Sequence, residues 1–147
     1  MSTPNSYLYS FGQVSVLYAG INIGGFAEAD DAVRIEFNDP LIDMVTGCDG
    51  QTVASQILNY SANITLTLLQ TSVSNDLFSA EVIAYRGNVI IPKPIIIRNA
   101  GGSDLFTSAA CFVGERPAAA YGKRQNNRQW VLKVPNLVSF QGGSRPL

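Results

Sequence analysis

The dominant pattern along this chain is alternation. In "VRIEF", Val33, Ile35 and Phe37 point to one side of an extended segment, and Arg34 and Glu36 point to the other. A period of two is the signature of a strand with one buried face. "ITLTL" repeats it, with Ile64, Leu66 and Leu68 inward and Thr65 and Thr67 outward. "WVLKV" does so again, with Trp130, Leu132 and Val134 inward and Lys133 outward. "VSVLYA" at 14–19 is rich in β-formers and places Val14, Val16 and Tyr18 on one face. "IIIR" at 95–98 and "LFTSAACFV" at 105–113 are further strands, the latter expected to carry Phe106 and Phe112 on the same face. The runs "AGINIGG", "NAGGSD" and "GKRQNN" supply the turns. Pro92 and Pro94 in "IPKPI" donate no ladder hydrogen bond, so that segment is expected at a sheet edge or in the lead-in to a strand.

A single helix interrupts this pattern, predicted at about 74–86. Ser74 or Asn75 is expected to cap its first amides, and Asp76 suits the positive end of the helix dipole. Phe78, Val82 and Tyr85 fall at i, i+4 and i+7 and form one apolar stripe. Arg86 complements the last carbonyls, and Gly87 or Asn88 can take the left-handed stop. "TLTLLQTSVSNDLFSAEV" is therefore a strand that runs through a short polar joint into a helix. Together the elements predict a mainly β (α+β) fold: an antiparallel β-sandwich or barrel with one flanking helix.

Residues 38–61 fit neither period. "NDPLIDMVTGCDGQTVASQILNYS" carries Leu41, Ile42, Met44, Ile57, Leu58 and Tyr60 among Gly, Asp and Asn. So long a loop in a compact unit is uncommon and tends to be functional, and its apolar side chains need cover. Two readings stand: part of it forms a hairpin folded over its own chain, or it reaches a neighbouring subunit. The second makes Leu41, Ile42, Met44, Ile57, Leu58 and Tyr60 the candidate inter-subunit contacts.

Composition sharpens the picture. The 147 residues fit one domain, 1–147, which buries roughly 70% of its unfolded surface. Hydrophobic residues make up 46% and charged residues only 14%, so the bulk of the chain is expected to fold. So little charge fits a sparse surface or one covered in an assembly. The net charge of −1, with Lys and Arg scattered outside "GKRQNNR", argues against a protein that grips nucleic acid through phosphates. The apolar runs are too short to span a membrane. The start "MSTPNSYLYSFG" lacks the layout of a secretory signal. Cys48 and Cys111 are accordingly expected to be reduced and buried rather than bridged.

Candidate chemistry is thin. There is no histidine, the commonest general base and metal ligand. Two distant cysteines make no zinc pattern, and Asp39, Asp43 and Asp49 lack the order of a calcium loop. "GINIGG" lacks the Lys-Ser/Thr ending of a phosphate loop, and no Ser sits in a nucleophile elbow. Glu28, Asp30 and Asp31 read as a polar turn before a strand rather than as a glycosidic carboxylate pair. No catalytic residue, cofactor or metal is expected.

Four segments in this order carry a family resemblance: "YSFGQVSVLYAGINIGGFAEADDAVRIEFN", "GCDGQ", "TLTLLQTSVSNDLFSA" and "NNRQWVLKVPNL". Over about residues 7–143 the chain resembles the tail-tube proteins of contractile-tailed bacteriophages, a family of phage structural proteins. The resemblance implies hexameric rings stacked into a hollow tube inside a contractile sheath, with tape-measure protein and phage DNA passing through the lumen unbound. It implies a virion protein assembled in the host cytoplasm. Related tubes occur in bacteriocins and type VI secretion, and these are the alternatives, beside a β-sandwich carbohydrate-binding module. The family tends to carry basic and polar residues after the "GxDG" turn. Here "QTVASQILNYSA" holds no Lys or Arg, so ring contacts through it are expected to rest on apolar burial. A tube wall that DNA must slide past is expected to be neutral or acidic, because a basic wall would hold the phosphates.

Overall fold

The computed structural model describes residues 4–146. The alternating segments form antiparallel strands around one core. They are β1 (Val14–Tyr18), β2 (Ile21–Asn22), β3 (Val33–Phe37), β4 (Ile42–Thr46), β5 (Thr52–Gln56), β6 (Ala62–Leu68), β7 (Lys93–Asn99), β8 (Leu105–Glu115), β9 (Arg128–Val134) and β10 (Val138–Phe140). The helix α1 spans Ser74–Arg86. The main sheet runs β2-β1-β7-β8-β9-β6-β3, with β10 also paired to β8. The long β8 ties two halves together. Leu105–Thr107 pair with β10, Leu105–Ser108 and Cys111 pair with β7, and Phe112–Glu115 pair with β9. Folding about β8 brings Val16, Tyr18, Ile95, Ile97 and Phe106 against Ile64, Leu66, Leu68, Trp130, Leu132 and Val134 in a single core.

Two predicted details differ. The first is the phase of β8, where Phe106 and Ser108 are buried, and so are Cys111 and Val113. The inward parity changes between 108 and 111. Ile95 faces Ser108 while Lys93 faces Cys111, so β8 carries one extra residue. The Ser108 hydroxyl holds this bulge: it accepts from the Ala110 N–H and lies 2.8 Å from the Asn136 carbonyl oxygen. A bulge reverses the facing of every later side chain, so Phe112 lies opposite to Phe106. The second is Pro94: Pro92 lies in the lead-in to β7 as expected, but Pro94 is the second residue of that strand, between β1 and β8 and not at an edge. It falls at the β8 register shift, where no ladder donor is needed, and its carbonyl accepts from Ala19 at 2.9 Å.

The helix begins and ends at the predicted residues, but its start is held differently. Neither Ser74 nor Asn75 caps it; the position before the first turn is Val73, with no side-chain cap. The two polar side chains are instead buried and lock the helix to the sheet. Asn75 donates through Nδ2 to the Leu69 and Ser72 carbonyls at 3.0 and 3.1 Å, and its Oδ1 accepts from Trp130 Nε1 at 2.9 Å. Ser74 Oγ accepts from the Gly24 N–H at 3.2 Å, and Ser72 Oγ donates to the Gly24 carbonyl at 2.6 Å. Phe78 is fully buried between Tyr18 and Trp130, with ring centroids 5.4 Å from each. At the far end Asn88, with φ of 63°, makes the left-handed stop.

"TSVSND" and "GINIGG" therefore form one joint. Gly25 has φ of +73°, and a Cβ there would lie 2.6 Å from Ser72 Cβ. Gly25→Ala is expected to lower stability by at least about 1–2 kcal/mol, from the left-handed backbone alone. Chemical denaturation checks it; an unchanged midpoint would mean the joint yields freely.

Candidate assembly surfaces

Residues 38–61 are not an irregular loop. β4 and β5 pair with each other around the turn Gly47–Gly50, and among the described residues with no other strand. All ten strand positions are exposed. A two-stranded hairpin with nothing packed on it is marginal in water. Its register places Ile42, Met44 and Thr46 with Gln56, Ala54 and Thr52 on one face, and Asp43 and Val45 with Ser55 and Val53 on the other. Leu41, Met44 and Leu58 are 66%, 65% and 75% exposed, and Ile42 and Tyr60 are exposed as well. Ile57 is half-buried, and its N–H closes the hairpin base on the Leu41 carbonyl at 3.0 Å.

The structure thus brings five of the six sequence-selected residues to the surface on or beside one projecting element. It adds Val45 and Val53, 62% and 64% exposed on the second face. Their signal is the β-branched pair flanking "TGCDGQT". At the hairpin base, Phe37, Pro40, Leu41, Tyr60 and Leu137 line an open groove together with the polar Asp39, Asn59, Ser139 and Gln141. Other surfaces are open too. Beside the hairpin, β2, β3 and β10 each pair on one side only among the described strands, which leaves ladder groups free for another chain.

The cysteines divide. Cys111 is buried as expected, and burial pushes its thiol up to about 12. Cys48 is exposed in the hairpin turn, against expectation, because the hairpin stands off the core. With an alkylating reagent at pH 8, the dispersed subunit is expected to modify Cys48 quickly and Cys111 only after unfolding. Rapid modification of both thiols in the native state would contradict this packing.

Asp31, Arg34 and Glu36 form an exposed ion-pair chain, with contacts of 3.4 and 2.6 Å, of the kind worth little to stability. Glu28, Asp30 and Asp31 lie in a bend and turn before β3, as the sequence suggests. Among the described residues no cluster of His, Cys, Asp and Glu is arranged to hold a metal ion, and no helix is long and apolar enough to cross a membrane.

The fold is shared with parts of contractile injection systems. The anti-feeding prophage cap, which terminates its tube, matches with a TM-score of 0.65 at 15% identity over 97% of both chains. In an extracellular contractile injection system, PVC, a chain of the sheath/tube terminator matches at 0.62 and 15% identity, over 92% of this chain and 99% of that one. A chain of the PVC sheath-tube complex matches at 0.60 and 17%, over 93% of each. In sequence, the structural protein ORF10 of Pseudomonas phage KPP10 is 28% identical over 130 residues, which cover 82% of this chain and 70% of that protein. Residues 8–140, from before β1 through β10, match the family described as the bacteriophage PhiTE tail tube protein. This chain belongs to that family of phage tail tube proteins.

Proposed function

We propose that copies of this chain form hexameric rings, and that the rings stack into the hollow inner tube of a contractile phage tail. The observation that carries the reading is the hairpin β4–β5, which exposes apolar side chains on both faces and is uncovered by its own chain. A tube subunit needs two kinds of contact. Lateral contacts close a ring, and the one-sided strands β2, β3 and β10 suit them. Axial contacts stack the rings, and the hairpin suits those, through Leu41, Ile42, Met44, Ile57, Leu58 and Tyr60 with Val45 and Val53. Residues 1–147 act in this reading as one tail-tube domain, with a structural and not a catalytic role.

The sheath protein surrounds the tube, and tape-measure protein and DNA occupy a lumen whose wall carries more carboxylate than Lys and Arg. The subunit assembles in the host cytoplasm and ends in the virion. A channel ringed by arginines would contradict the lumen claim. A second reading is favoured by the two terminator neighbours: a cap that forms one ring and stops. Negative-stain microscopy of the purified protein separates them. Stacked rings with a central hole are expected; single rings at every concentration would favour the cap, and lasting monomers would oppose both.

A further inference from the structure

Two exposed segments of this chain carry charge of opposite sign. Residues 38–61 contain Asp39, Asp43 and Asp49 and no Lys or Arg. Residues 116–127, the connection from β8 to β9, contain Arg116, Lys123 and Arg124 and no acid; Glu115 closes β8 before it and Arg128 opens β9 after it. The strand register places these segments at opposite ends. The hairpin leaves β3 at Phe37 and returns into β6 at Ala62, which faces Val134. The basic connection enters β9 at Arg128, which faces Leu68 at the other end of β6. The seven residues of β6 separate the two by about 20 Å.

The connection is exposed but held in place. Gln70 grips it twice: its N–H donates to Gln125 Oε1 at 3.2 Å, and its Oε1 accepts from the Asn126 N–H at 3.1 Å. Asn126 Nδ2 also donates to the Ala120 carbonyl at 3.0 Å. Neither its three cations nor Arg128 forms an ion pair among the described residues. Asp43 on the hairpin is likewise without an ion-pair partner there. Acids do occur at the basic end: Glu115 closes β8 beside Arg116, Asp76 lies in the first turn of α1, and Asp31, on the β3 side of β6, meets Arg34. Cations do occur toward the hairpin end: Lys133 faces Asn63 beside the hairpin base, and Arg98 and Arg145 lie on β7 and the C-terminal segment, but none is on the hairpin itself.

We infer that the acidic hairpin of one copy docks on the basic β8–β9 connection of a second copy in the adjacent ring. The inference rests on the tube reading and supplies its axial contact. A projecting acidic element at one end and an ordered basic surface at the other make a head-to-tail pair. Such a contact repeats without closing on itself, as stacking requires. The apolar side chains then provide burial, while the charges set polarity and speed encounter.

The test uses charge exchange, with ring formation and circular dichroism as controls for folding. Asp43→Lys/Asp49→Lys, and separately Arg116→Glu/Lys123→Glu/Arg124→Glu, are each expected to slow tube elongation by about tenfold or more. Mixing rings of the two variants restores elongation, because each hairpin then meets a connection of opposite sign. Salt at about 0.5 M slows the unaltered chain in the same way. If a swapped chain folds poorly, Lys123→Gln/Arg124→Gln carries the test with a smaller effect. Tubes formed at the normal rate by either swapped chain would overturn the contact while leaving the tube reading intact. No rings or tubes from the unaltered chain would overturn both.

Discussion

The double variant Leu41→Asp/Leu58→Asp is expected to fold like the unaltered subunit and to form no tubes at concentrations where the latter polymerises. Both side chains are among the most exposed apolar groups in the molecule. Replacing them costs the isolated subunit within about 0.5 kcal/mol, as at other free surface positions. In the tube, each loses about 1.5–3 kcal/mol of apolar burial and brings a carboxylate into a dry contact. The critical concentration for polymerisation therefore rises at least about a hundredfold. Sedimentation and melting curves check the two halves separately. Tubes of ordinary length from this variant would remove the hairpin from the axial contact; a lost melting transition would mean these leucines support the subunit itself.

The opposite behaviour is expected of Trp130→Ala, which strikes the fold. Trp130 is 3% exposed and packs on Phe78, and its Nε1 hydrogen satisfies Asn75 Oδ1 at 2.9 Å. Removing a buried tryptophan costs about 3–5 kcal/mol, and Asn75 then keeps an unpartnered oxygen. The expected result is a subunit unfolded or nearly so at 37 °C, with denaturation as the measure. Trp130→Phe separates the two causes, since it restores most of the ring volume and none of the hydrogen bond. A loss of only a few tenths of a kcal/mol in Trp130→Ala would show that Asn75 and α1 do not depend on this contact.

What was legible in the sequence follows the geometry of burial. β3, β6 and β9 lie in one half of the sheet with one face on the core, so burial prints a period of two at Ile64, Leu66 and Leu68. The helix was legible because its stripe and its stop signals are local. Local sequence makes Asn75 look like a cap, because its decisive partner, Trp130, lies 55 positions away and no local pattern points to it. The bulge at Ser108 was hidden for a related reason: Asn136, which its hydroxyl meets, comes 28 positions later. A hairpin in 38–61 is one of the two readings the sequence allows, but the strands cannot be placed from it and the hairpin does not fold over its own chain, because neither face is buried there. With no core to impose alternation, Ile42 and Met44 on one face are matched by Val45 and Val53 on the other. The same lack of alternation is what a strand pair shaped for contact outside the subunit would show. The candidate contacts were found by a cruder signal, apolar residues in a turn-rich stretch, and that signal missed both valines.

Cryo-electron microscopy of the polymer formed by the purified protein decides whether the subunits build a tube. The expected image is stacked hexameric rings around an open channel, with Leu41, Met44 and Leu58 covered by a copy in the next ring and Cys48 shielded from alkylation. A polymer whose hairpins stand free in solvent, or a protein that stays monomeric at every concentration and salt, would contradict it.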